Sequence, residues 1–208
     1  MRVGSSRLPR LLRFGLTFEI SFEISTVRPS ARADQKVSGG RSQTWTTCNT
    51  TTLAHYLELL AGAGLLAGLA KFSGRAVRQK GSSPKLQVLN TALMTAQCGL
   101  SFEEARADRE FWGRLVESAI GAHLANAAAA GECELFYWRE RNEEVDFVVR
   151  AGRAVTAIEV KSGRGRETHP GLAAFAEAFK PRRKLLVGGD GIPVEEFLLA
   201  PVAHWIRR

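Results

Sequence analysis

The sequence predicts an α/β fold in which a mixed sheet is packed between helices, and three observations predict it. From about Asp108 to Ala130, Trp112, Leu115, Val116, Ala119, Ile120, His123 and Leu124 recur at helical spacing. Two β-branched runs, Val145–Val149 and Val155–Val160, are joined across Arg150–Arg153, the pattern of an antiparallel hairpin. A further helix and strand follow. Pro170 suits a first helical position, Leu172, Phe175, Ala176 and Phe179 form an apolar face, and Lys184–Val187 is a short buried strand. With Glu134–Trp138 as a strand ahead of the hairpin, the order from Asp108 is helix, three strands, helix, strand. That unit is long enough to hold a core of its own. Glu195–Ile206 closes it with one more short strand or helix.

The hairpin carries the chemistry. Strand side chains alternate, so Val145, Phe147 and Val149 share one face, and Glu144 and Asp146 take the other. Residues directly opposed in an antiparallel pair lie on the same side. An even-length loop at Arg150–Arg153 therefore sets Asp146, Glu159 and Lys161 on a common face. Two carboxylates about 4 Å apart repel by roughly 4 kcal/mol at an effective dielectric near 20. A hard divalent cation removes that penalty, and Mg²⁺ is usually held by one or two carboxylates plus waters and phosphate oxygens. Lys161 then serves as a point charge for a phosphate or as an orienter of the attacking water. The competing reading is a solvated charged face on a half-buried hairpin, since Glu-x-Lys in a strand is common.

The long helix adds a candidate. Glu117 falls outside the apolar stripe, with Gly113 one turn before it and Gly121 one turn after. Glycine costs a helix interior about 1 kcal/mol relative to alanine, so a pair around one acid suggests close approach by a strand or ligand. A packing face of small residues is the plainer alternative. His123 lies on the apolar stripe and reads as a buried, satisfied histidine.

Composition sets the bounds. The 208 residues are those of an ordinary globular protein of one domain or two small ones. The formal net charge is +8, of which residues 1–48 supply +5, from eight Lys/Arg against three Asp/Glu. The basic excess is thus concentrated at one end, and the charge alone says little about nucleic acid. Cys48, Cys98 and Cys133 are widely spaced and form no metal-ligand pair, which fits a reduced, cytoplasmic setting. No stretch approaches the roughly 18 apolar residues of a membrane span, so no membrane partner is expected.

Residues 1–48 read as a non-core, poorly ordered segment, despite a tandem FEIS-FEIS at Phe18–Ser25 that has the alternation of a strand. An Arg-rich, Ser-rich leader also resembles a transit peptide, though less closely. From Asn49 a capped helix carries Leu53, Tyr56, Leu57 and Leu60, and Gly62 and Gly64 end it. Leu65–Leu69 is a strand, Gly74-Arg75 and Gly81–Pro84 are turns, and Lys85–Asn90 returns. A helix and a long basic hairpin outline part of a winged helix, with Lys71, Arg75, Arg78, Lys80 and Lys85 on the wing. Those charges suit phosphate contact, and a solubilising loop fits them equally well. Leu100–Ala107 reads as a polar connection into the long helix.

A helix with an acid, a strand with Asp, a strand with Glu-x-Lys, a helix and a strand: this order resembles the PD-(D/E)xK nuclease superfamily. More narrowly, the chain resembles the DUF4143 domain found at the C-terminus of bacterial and archaeal AAA-type ATPases. The stretches that carry the resemblance are TLAHYLELLAGAGLL (Thr52–Leu66), SSPKLQVLNTAL (Ser82–Leu93), FWGRLVESAIGAHL (Phe111–Leu124) and FYWRERNEEVDFVVRAGRAVTAIEVKSG (Phe136–Gly163). The resemblance implies a restriction-endonuclease-like core over 105–208, preceded by a partial winged helix over 49–104. It implies Glu117, Asp146, Glu159 and Lys161 as catalytic residues, with Asp146 and Glu159 holding Mg²⁺, for which Mn²⁺ can substitute. It also implies nucleic acid as a partner, to be contacted by the basic residues of the wing. The chain departs from its relatives in having no G-x-x-x-x-G-K-[ST], hence no ATP site, and so resembles a truncated copy. The function expected is a metal-dependent phosphodiesterase acting on nucleic acid. The alternative is a non-catalytic DNA-binding or docking module of an AAA-type ATPase.

Overall fold

The strand runs seen in the sequence assemble into one sheet of six strands, ordered β2-β1-β3-β4-β5-β6. The computed structural model describes residues 50–74, 84–163 and 169–207. Expectations for residues 1–48 and for Arg75, Arg78 and Lys80 lie outside the described residues. The strands are β1 (Leu66–Lys71), β2 (Lys85–Val88), β3 (Glu134–Glu140), β4 (Glu143–Ala151), β5 (Ala154–Lys161) and β6 (Arg183–Gly188). Seven helices are present among the described residues: α1 (Thr50–Gly62), α2 (Thr91–Cys98), α3 (Phe102–Ala107), α4 (Arg109–Ala129), α5 (Pro170–Phe179), α6 (Val194–Leu199) and α7 (Val202–Ile206). The β1–β2, β3–β4 and β4–β5 pairs are antiparallel, whereas β1–β3 and β5–β6 are parallel, so the sheet is mixed.

Each face of the sheet buries an apolar layer. On one side Val116, Ile120 and Leu124 of α4, with Phe197, Trp205 and Ile206 from α6 and α7, cover Phe147, Val149, Ile158 and Val187. Trp205 satisfies its indole N–H on Phe197 O at 3.2 Å, which makes so large a ring tolerable inside. On the other side Leu172 and Phe175 of α5, with Phe72, cover Phe136, Trp138, Val145, Val148 and Ala157.

The hairpin closes as the sequence predicts. Ala151 pairs with Ala154, leaving Gly152-Arg153 as a two-residue turn, with Gly152 at φ 60°. Its faces differ from the simple alternation. Phe136 pairs with Val148 but Trp138 with Val145, so two steps on β3 match three on β4. This β-bulge turns Val145 onto the α5 side with Val148, while Phe147 and Val149 stay on the α4 side. The expectation that Val145, Phe147 and Val149 share a face is thereby corrected, and so is the common face expected for Asp146, Glu159 and Lys161. Ile158 and Val160 line the α4 side and Ala157 the α5 side, so Glu159 and Lys161 alternate toward α5 while Asp146 turns toward α4.

Three further elements differ from the sequence reading. Leu100–Ala107 is not a mere connection. Ser101 and Glu104 form a reciprocal capping box that starts α3, at 3.2 and 2.8 Å. α2 is an additional helix, opened by Asn90 and ended by Gly99 at φ 67°. The C-terminal stretch forms two helices rather than one element, each preceded by proline, Pro193 and Pro201. β1 and β2 pair as a wing would, yet β1 continues parallel to β3, which makes the hairpin the edge of the main sheet. Among the described residues no helix is long and apolar enough to cross a membrane.

Candidate functional site

Two residues of β2 fix its approach to α4. Residues 85 and 87 share a strand face, and that face meets α4. The buried side chain of Gln87 lies against Gly121, where an added Cβ would overlap its amide. Gln87 Nε2 donates to Ser118 O at 3.0 Å and to Val88 O at 2.7 Å. The close approach inferred from the Gly113/Gly121 pair is therefore real at Gly121. At Gly113 the neighbour is Ser162 Oγ, 3.2 Å from the position of an added Cβ.

With β2 so placed, Lys85 enters a ring of acids. Its Nζ lies 2.8 Å from Glu117 Oε1, 3.1 Å from Glu144 Oε1 and 3.9 Å from Asp146 Oδ1. Burial pulls the Lys85 ammonium down, but Glu117, Asp146 and Glu144 together outweigh it and hold the group above the ordinary lysine range. Arg139 Nε stands 3.7 Å from Glu144 Oε2 on the outer side.

The bulge in β4 is what sets Asp146 here. Asp146 Oδ2 accepts the Val160 backbone N–H at 2.8 Å, bracing the irregular strand against β5. Burial pushes its carboxyl up, and the Glu117 carboxylate adds to this. Lys85 pulls back and Glu159 pushes further, leaving the group at about 7.

Glu159 and Lys161 complete the neighbourhood. Lys161 Nζ is 3.2 Å from Glu159 Oε1, and the Glu159 side chain is only 13% exposed. Burial raises its carboxyl, against the pull of Lys161 and His169. Glu159 Oε2 is buried with no hydrogen-bond partner among the described residues, and so is His169 Nδ1. A buried polar atom left unpaired costs about 1–3 kcal/mol, more when charged. His169 stands within electrostatic reach of Glu159.

The structure thus brings Glu117 and Asp146 together around Lys85, with the Glu159–Lys161 pair adjoining Asp146 electrostatically. Lys85, expected on a basic wing, is instead committed to carboxylates. Lys71 ends β1 opposite Tyr137, in the sheet rather than in a loop. His123 is structural: its Nε2 is 3.2 Å from Ala200 O and its ring meets the edge of Phe197. Glu144, Gln87 and His169 were not singled out by sequence. Glu144 was the legible one, two residues before Asp146.

Among the described residues, no group of three or more His, Cys, Asp or Glu is arranged to hold a metal ion. Mg²⁺ requires less from a protein, commonly one or two carboxylates completed by water and phosphate oxygens. Of the two acids expected to hold it, Glu159 has a buried oxygen without a hydrogen-bond partner, whereas both Asp146 oxygens are engaged, by Lys85 and by the Val160 N–H.

No curated protein and no solved structure matches the chain. Residues 112–197, which include Glu117, Asp146, Glu159 and Lys161 but not Lys85, match the family model described as "Domain of unknown function (DUF4143)".

Proposed function

We propose that this chain is a metal-dependent phosphodiesterase-like domain acting on nucleic acid, with a restriction-endonuclease-like core formed by α4, β3, β4, β5, α5 and β6. The observation that carries the proposal is the buried, unpartnered Oε2 of Glu159, within electrostatic reach of a second carboxylate of raised pKa, Asp146. Burial raises both carboxyls despite Lys85 and Lys161, a cost that a divalent cation would relieve. Asp146 and Glu159 would hold Mg²⁺, or Mn²⁺ in its place, and the ion would supply Lewis-acid polarisation of the phosphate and an acidified water. Lys161 Nζ lies against Glu159, where it would stabilise the phosphorane charge or orient the attacking water. Glu117 borders the site on the α4 side and adds to its negative field.

The test is a Mn²⁺ titration by calorimetry with plasmid cleavage in Mg²⁺ measured on the same samples. Wild type should bind and cleave. Asp146→Asn and Glu159→Gln should each lose cleavage while keeping the fold, and the losses should not add, because the residues act as a unit.

A second reading rests on Lys85. Its ammonium already balances Glu117, Glu144 and Asp146, as a site with no metal would require. On that reading the chain is a non-catalytic DNA-binding or docking module of an AAA-type ATPase. Duplex retention with neither Mn²⁺ heat nor cleavage would favour it. Replacing Arg75, Arg78 and Lys80 together should then flatten the salt dependence of binding, by about 0.9 in slope for each phosphate that the variant no longer neutralises.

A further inference from the structure

We propose that the hollow between the β4–β5 turn and the C-terminal end of α5 binds a small phosphorylated ligand, a diphosphate ester or a similar anion whose charge matches the three cations around it. The inference stands apart from the reading of Asp146 and Glu159 as metal ligands. The hollow borders the start of β5, and Lys161 ends that strand about 23 Å away at roughly 3.3 Å per residue.

The cavity has a volume of about 320 Å³ and is lined by Arg153, Ala154, Val155, Phe179, Lys180 and Arg182. That is near the lower end of the range for small-ligand sites, about 300–1,000 Å³. Ala154, Val155 and Phe179 give it an apolar wall, and the other three residues are cations. No acid lines it. Among the described residues, none of Arg153, Lys180 and Arg182 takes part in an ion pair. The chain carries no acid from Ala178 to Gly189, against Lys180, Arg182, Arg183 and Lys184. Cations gathered without a counter-charge repel one another. An anion seated among them removes that repulsion, and the apolar wall strengthens its hold by lowering the local dielectric.

The backbone sets each cation in place. Gly152, at φ 60°, shapes the two-residue turn that presents Arg153. Arg182 N donates to Val155 O at 2.8 Å, which ties that residue to β5. Lys180 ends α5 in the left-handed conformation, at φ 48°, with its N–H bonded to Ala176 O. Glycine or asparagine ordinarily takes such a position, and a lysine held there is a local strain of the kind that marks functional sites. The carbonyl end of α5 attracts Lys180. It does not account for Arg153 and Arg182, which come from the β4–β5 turn and the approach to β6. Two guanidinium forks and an ammonium form a donor set that suits phosphate oxygens, the forks by paired hydrogen bonds and the lysine as a point charge.

The experiment titrates inorganic pyrophosphate into the full chain by calorimetry at one ionic strength. Wild type should bind. Arg153→Gln and Arg182→Gln should each weaken the affinity by roughly fivefold, as the loss of one exposed charge pair would. Lys180→Gly should weaken it similarly while holding or raising the melting temperature, because glycine relieves the left-handed backbone. That opposite pair of readouts separates loss of the site from loss of the fold. Arg106→Gln combined with Arg109→Gln, at exposed positions on α3 and α4, should leave the affinity unchanged. No pyrophosphate binding by wild type overturns the proposal. So does an affinity that the three site variants leave unchanged, or one that the Arg106/Arg109 variant lowers as much as they do. A short DNA duplex that displaces pyrophosphate, and itself loses affinity in the same three variants, would make the occupant a nucleic-acid backbone and overturn the small-ligand assignment.

Discussion

The side-chain amide of Gln87 fills the space beside Gly121 on α4, and through this contact the edge strand β2 is registered against the helix that carries Glu117. Gly121→Ala brings two opposed effects. Alanine gains about 1 kcal/mol in a helix interior, but its Cβ would overlap Gln87, and overpacking costs about 1–3 kcal/mol before any hydrogen bond is broken. We expect a net loss of stability of about 1–2 kcal/mol. Gly113→Ala, on the same helix, meets only the rotatable Ser162 Oγ at 3.2 Å and should be neutral or slightly stabilising. Equal melting temperatures for the two variants would contradict the docking of β2 on α4.

Asp146 should make the metal-free protein less stable as pH rises. Its folded pKa is about 7 against an ordinary 3.8, so the native state binds the proton more tightly than the unfolded chain. Stability from this group is present below about 4 and is lost as pH climbs toward 7, with a slope of at most about 1.4 kcal/mol per pH unit. Glu159 is raised as well and acts with the same sign. Urea unfolding in EDTA at pH 5 and pH 8 tests this. Wild type should lose stability between the two, and Asp146→Asn should show a much shallower loss.

The Glu159–Lys161 pair should reveal itself by opposite signs. In EDTA, Glu159→Gln relieves a buried carboxylate with one unpartnered oxygen and should hold or raise stability. Lys161→Ala leaves Glu159 without its cation and should lower it, by no more than about 1 kcal/mol, since Lys161 is 36% exposed and screened. Thermal melts of both singles and the double give the coupling, expected at about 0.5–1 kcal/mol. Shifts within about 0.5 kcal/mol and no consistent sign would instead describe a solvated charged face.

Gly171 is where α5 comes down on β4. A Cβ there would overlap the backbone carbonyl of Glu144, an atom that cannot rotate aside. Gly171→Ala should cost about 3 kcal/mol, at the upper end of the overpacking range, because helix or strand must shift. The shift would move Glu144 relative to Lys85, so the melt should be paired with the Mn²⁺ titration. An alanine tolerated without loss at this position would mean that α5 does not press on the strand.

Most elements were legible because their signals are local. The 112–124 stripe, the strand runs at 134–138, 145–149 and 155–160, Pro170 opening α5 and Gly62 closing α1 each follow from spacing over a few residues. α3 was legible too, in the Ser-x-x-Glu of its capping box, but its short polar span hid it.

What the sequence by itself determined is the order of helices and strands, and the presence of Glu117, Asp146, Glu159 and Lys161 on that framework. Only the tertiary structure decided how the acids are balanced. β4 is apolar toward both faces, at Val145, Phe147, Val148 and Val149, so alternation carried no record of the bulge that turns Asp146 toward α4. Lys85 meets Glu144 across 59 residues of chain, and it arrives there because β1 lies parallel to β3 and carries β2 with it. Such pairing is selected by how two buried faces fit, and no local pattern in Lys85–Val88 encodes it.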